Sequence, residues 1–107
     1  MNRRMSLLCA LLVVAPAAWG ECTLPPPPTK VPDGNSASES EMLAAMQTLK
    51  KYDADVNVYL KCLEFEAKQN RITRDDQSRR HNEAVDKLQA IATKFNEQVR
   101  VFKAKNG

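Results

Sequence analysis

The sequence predicts an all-α fold, a coiled-coil-like antiparallel hairpin of two helices. Ahead of it lies a proline-rich extended strap, which a disulfide ties to the first helix. Three observations carry this expectation. Between Gly34 and the terminal Gly107 there is neither Gly nor Pro, the residues that most often interrupt a helix. Apolar residues in that stretch recur by threes and fours and nowhere alternate as a half-buried strand would. Two cysteines, Cys22 and Cys62, remain once an N-terminal leader containing Cys9 is set aside.

The leader is residues 1–20, MNRRMSLLCALLVVAPAAWG. Arg3 and Arg4 supply a positive start, Ser6 to Ala15 an apolar run, and Ala18 and Gly20 the small residues of a cleavage site, the anatomy of a secretory signal peptide. The apolar run falls short of the about 20 residues that a membrane span requires. Glu21, ahead of Cys22, is not the small residue that precedes a lipidated cysteine. The residues after the arginine pair, Met5-Ser6-Leu7, do not continue a twin-arginine signal. Cleavage after Gly20 and a location in the periplasm or outside the cell are expected, with no stable membrane insertion afterwards. What is left carries 14 basic and 13 acidic residues, a formal +1 in place of +3. That near-neutral balance gives no electrostatic reason to expect nucleic acid or an anionic membrane as partner.

Residues 21–37 form the strap. Pro25 to Pro28 favour polyproline II, an extended backbone without internal hydrogen bonds. An exported chain with an even number of thiols pairs them, here Cys22 with Cys62. The lengths allow it. From Ser38 to Cys62 a helix climbs about 36 Å, and residues 23–37 reach roughly 45 Å in polyproline II. The strap can therefore run back along the first helix, turning at Pro32-Asp33-Gly34, with its prolines expected to cover Val58 and Phe65. Closing such a loop contributes on the order of 4 kcal/mol through the entropy of the unfolded chain. The competing reading, LPPPP as a ligand for a proline-recognising domain, belongs mainly to intracellular eukaryotic partners.

The helical domain is residues 38–105, with helices at about 39–69 and 75–104. Ser38 and Glu41 make a capping box for the first. Its stripe runs Met42, Met46, Leu49, Val56, Leu60, Leu63 and Ala67, widened by Tyr52 and Tyr59, with Asp53 as a polar member that could pin the register by reaching Lys87 or Lys94. Thr73 with Asp76 caps the second helix, and Asp75 and Asp76 suit its positive end. The second stripe is His81, Val85, Leu88, Ala92, Phe95, Val99 and Phe102, a narrow seam for helix–helix packing. Polar residues at Asn70, Arg74 and Gln77 interrupt the apolar surface, so the chain is expected to fold back near 70–74 although no Gly or Pro marks the turn.

Taken in order, Val31-Pro32-Asp33-Gly34, Glu41-Met42-Leu43-Ala44-Ala45, Tyr59-Leu60-Lys61-Cys62-Leu63, Asn82-Glu83-Ala84-Val85-Asp86 and Phe95-Asn96-Glu97-Gln98-Val99-Arg100 resemble a group of small exported helical proteins of proteobacteria. The resemblance spans nearly all of the chain after the leader. It implies a periplasmic or secreted location and carries over no catalytic residue.

Two functions from different classes fit these residues. The first is a non-catalytic interaction or structural module that meets a protein partner or a second copy in a weak homodimer. Its expected interface is Met42, Met46, Ile91, Val101 and Phe102, toward the open end of the hairpin. The second is a small thiol-dependent enzyme, since a turn near 70–74 would set Cys62 and His81 at similar height. The disulfide disfavours it, because that chemistry needs a free thiolate. No metal or cofactor is expected: one His and two paired cysteines fall short of a zinc site, and Asp53-x-Asp55 and Asp75-Asp76 lack the pattern of a calcium loop.

Overall fold

The computed structural model describes residues 21–107; the expected leader lies outside the described residues. Helix α1 spans Glu39–Lys68 and α2 spans Arg74–Asn106. They pack against each other as an antiparallel hairpin, with residues 21–37 as the strap and no strand among the described residues. The Ser38 hydroxyl accepts from the Glu41 N–H at 3.1 Å, and Thr73 Oγ1 accepts from the Asp76 N–H at 3.0 Å, so each helix starts on the residue chosen for its cap. Asp76 also pairs with Arg79 and Arg80 one turn on.

The turn is made without glycine. Asn70 takes a left-handed backbone conformation, φ 56°. Its N–H reaches the Ala67 carbonyl at 3.1 Å and the Arg71 N–H reaches the Glu66 carbonyl at 2.9 Å. These are the two bonds of a Schellman motif, and asparagine is the residue that substitutes for glycine at its left-handed position. Arg71 completes the cap with its side chain. Its guanidinium meets Glu66 Oε1 at 3.1 Å and stands 5.9 Å from the centre of the Phe65 ring. Ile72 then packs inward against the core.

The core is Tyr52, Val56, Tyr59 and Leu63 of α1 against Ala84 and Ile91 of α2, with Phe95 and Met42 buried further toward the open end. The strap supplies Cys22, Leu24 and Val31 to this cluster. Cys22 and Cys62 are joined with their Cα atoms 5.7 Å apart, across 40 residues of sequence. Every third residue of the strap, Cys22, Pro25, Pro28, Val31 and Gly34, is buried or half-buried, with Leu24 and Pro32 half-buried beside them, and Thr23, Pro26, Pro27, Thr29 and Lys30 are exposed. Three residues per turn is the period of polyproline II, so one edge of the strap faces the helices along its length.

That edge does not lie where the sequence placed it. Pro28, Val31 and Pro32 meet Ala45, Thr48 and Leu49 of α1 together with Ile91 and Phe95 of α2. The strap therefore fills the groove between the helices, and Val58 and Phe65, which it was expected to cover, stay exposed. The reason is area: in the groove each apolar residue of the strap touches two helices, and on the outside of α1 it would touch one.

The same choice turns α2. Its buried line is Ala84, Ile91 and Phe95, so of the expected seam His81 is exposed while Val85, Leu88, Ala92, Val99 and Phe102 are half-buried. The helix is rotated toward the strap by roughly half of one 100° residue step. Asp53 is likewise not a register pin. It is exposed, and its backbone carbonyl accepts from the Asn57 side chain at 2.9 Å.

Candidate functional site

A hairpin has two long flanks, and the strap fills one. On the other, Leu49, Lys50 and Asp53 of α1 face Leu88, Gln89 and Ala92 of α2 across an open groove of about 350 Å³. Its floor is apolar and its rim carries one cation, one anion and one amide. Met46, Leu60, Val85 and Val99 are half-buried and continue this flank above and below by helical phase. The groove exists because α2 has rotated toward the strap, which lifts Val85 and Ala92 out of the core and onto this side.

Of the five residues expected to form an interface, Met42 and Ile91 are buried within the chain. Ile91 lies beneath the strap, and burial takes both away from any partner. Met46, Val101 and Phe102 are half-buried. Val101 and Phe102 lie next to Gly34, where the strap crosses the end of α2. Met42 and Ile91 drop out of the expected set because the strap lies in the groove between the helices and not on the outside of α1. Lys50, Gln89 and Ala92 were missed as a group. No pattern in the sequence finds them, because the strap's period marks its inner edge without saying which flank it enters.

The features that could support chemistry are separated. Cys62 is bonded to Cys22, and the bond sits beside a hollow of about 400 Å³ shared by Glu21, Thr23, Pro25, Asp55, Val58 and Tyr59. His81 is exposed on α2. Glu66 is buried, with Oε1 on Arg71 and Oε2 without a protein partner. The Tyr52 hydroxyl is buried without a hydrogen bond, and burial pushes its pKa above the ordinary value of 10.0. Tyr52 and Glu66 lie 14 positions apart on α1, about 21 Å, too far to act on one ligand atom. Among the described residues no group of three His, Cys, Asp or Glu side chains could hold a metal ion. None of the helices among them is long and apolar enough to cross a membrane.

The chain matches no family model, no curated protein and no solved structure.

Proposed function

We propose that this protein is an exported, non-catalytic interaction module: a disulfide-strapped hairpin that offers its strap-free flank to a second copy or to another helical protein. The observation that carries the reading is the Leu49–Asp53/Leu88–Ala92 groove, an apolar surface left open after the strap has closed the opposite side. Its scale supports the reading. Helices of this length are about 45 Å long, so a face two helices wide offers on the order of 700–900 Å². A stable interface takes about 800 Å² from each partner. Two hairpins meeting along such faces make a four-helix bundle.

Export rests on the leader anatomy and on the Cys22–Cys62 bond, which persists in oxidising compartments. The resemblance to small exported proteins of proteobacteria belongs to the same proposal. With its sulfur held by Cys22, Cys62 supplies no nucleophile, so the thiol-enzyme reading requires a reduced form.

Sedimentation equilibrium on the oxidised protein is the test. A weak dimer is expected, and Ala92→Arg in the groove should turn it into a monomer of unchanged helix content. A strictly monomeric wild type at high micromolar concentration that also binds no hydrophobic dye would sink the proposal.

A further inference from the structure

We infer that the outer face of α1 is a second contact surface, one that docks on an anionic lipid headgroup layer. It adjoins the groove at Lys50, which stands on the groove's rim, and does not depend on it. Three large apolar side chains of α1 stand well exposed: Leu43 at 50%, Val58 at 68% and Phe65 at 54%. At 100° per residue all three fall within a narrow strip on the side of the helix away from α2. From Leu43 to Phe65 the strip runs about 33 Å.

The strip is also basic. Lys61 falls within it and Lys50, Lys51 and Lys68 border it by about 20°, all of them exposed, whereas the nearest acids, Glu39, Asp55 and Glu64, stand about 40–60° beyond its edges. Asp53, Asp55 and Glu64 lie on its flanks, and Glu66 points inward. Lys51 and Lys68 pair with the flanking Asp55 and Glu64 at 2.9 and 3.1 Å, in exposed pairs that hold their cations weakly. Lys50 and Lys61 have no ion pair among the described residues. Where the strip meets the turn, the Arg71 guanidinium stands over Phe65 while paired with Glu66.

The basic character is local to this face: α1 as a whole carries six acids against four lysines, and its acids lie in the first turn, on the flanks of the strip or, for Glu66, inward. Lysines interleaved with exposed apolar residues along one helix face are the pattern of a helix that lies in a membrane interface. The relief points the same way. Leu43, Val58 and Phe65 stand singly on a straight ridge, separated by lysines, and none of the cavities described takes in all three. A folded protein partner would need a matched pocket for each. A fluid headgroup layer admits isolated apolar side chains anywhere along its plane, and it brings phosphates to the lysines beside them.

The test uses the oxidised protein as recovered after export, with its N-terminus established by mass. It is sedimented with vesicles of phosphatidylglycerol mixed with phosphatidylcholine, and with vesicles of phosphatidylcholine alone. Binding to the anionic vesicles only, weakening as salt is raised, is expected. The double reversal Lys51→Glu/Lys61→Glu, which spares the groove's Lys50, should reduce the bound fraction at least about tenfold, and Val58→Asp/Phe65→Asp should do the same. These positions are exposed, and circular dichroism should report unchanged helix. Lys87→Glu/Lys94→Glu on α2 is the control and should bind as wild type does. Absence of binding to anionic vesicles, equal binding to both kinds, or an equal loss in the α2 control would overturn the assignment.

Discussion

The Gly34 N–H donates to Gln98 Oε1 at 2.8 Å, joining the end of the strap to α2 across 64 residues of sequence. It is the second fastening of the strap, at the opposite end from the Cys22–Cys62 bond. Between the two the chain advances 12 residues, about 37 Å in polyproline II, which matches the about 36 Å that α1 climbs from Ser38 to Cys62. Around Gly34, Asp33 turns the chain into α1: its side chain accepts from the Asn35 N–H at 2.9 Å and its carbonyl from the Ala37 N–H at 2.8 Å. Lys105 closes over this turn onto the Asn35 carbonyl.

Gly34→Ala should therefore destabilise. An added Cβ would stand 2.2 Å from the Gln98 carbonyl oxygen and 2.8 Å from the Phe102 nitrogen, so backbone has to move. A loss of about 1–3 kcal/mol in urea denaturation is expected. Gln98→Ala, which leaves the buried Gly34 N–H without its acceptor, should cost about 1–2 kcal/mol. A double variant no worse than Gly34→Ala alone would show that both act through this one contact.

Cys22→Ser should lower stability by about 2–4 kcal/mol, because it lengthens the set of conformations open to the unfolded chain. In a domain of this size that is a fall of several degrees in Tm. The freed end should also open to protease, so trypsin should cut after Lys30 faster than in wild type. An unchanged Tm and an unchanged cleavage rate would mean that the contacts of Leu24, Pro28 and Val31 hold the strap unaided.

Asn70 holds the turn through its positive φ. Asn70→Gly should be neutral or gain a few tenths of a kcal/mol, whereas Asn70→Ala should cost about 1 kcal/mol from the contact of its Cβ with the following carbonyl. Thermal melts of the pair, with helix content followed by circular dichroism, measure the difference. Equal effects from both would show that the side chain of Asn70, and not its backbone, makes the turn.

Tyr52→Phe should leave stability unchanged or raise it by up to about 1 kcal/mol, since it deletes a buried hydroxyl that has no partner. Its pH signature has a definite sign. Burial favours the neutral phenol, so the folded protein keeps the Tyr52 proton above pH 10.0, where the unfolded chain has begun to release it. The contribution is complete below the unfolded value and is lost as pH climbs through and beyond it. The Phe variant should lose less stability than wild type in that alkaline window, with matching slopes below it. Parallel curves throughout would place the Tyr52 hydroxyl in water.

Local structure was legible because its causes are local. Ser38 and Thr73 announce their helices through bonds that span three residues. The helices end within one or two residues of the spans read from periodicity. The pairing of Cys22 with Cys62 followed from a count of thiols and a comparison of lengths. The turn was placed by the break in the apolar surface, but its device was overlooked: Asn70 can adopt the backbone conformation usually left to glycine. The strap-free groove was not foreseen at all, since Lys50, Asp53 and Gln89 are ordinary solvent-side residues until two helices and a strap fix which side is which.

By itself the sequence determined two helices, their caps, the fold-back between them, and an extended segment of matching length with a cysteine at its end. Which groove that segment enters was decided only in three dimensions. Helical periodicity reports the average direction of the apolar residues, and a third packing element shifts that average without changing the period. With the strap between the helices, Ala84, Ile91 and Phe95 became the inner line of α2, His81 turned outward, and Met42 and Ile91 were buried. Charge followed the same rule. A formal sum close to zero is a property of composition, whereas a lysine face on α1 becomes a surface only when packing assigns the helix an outside.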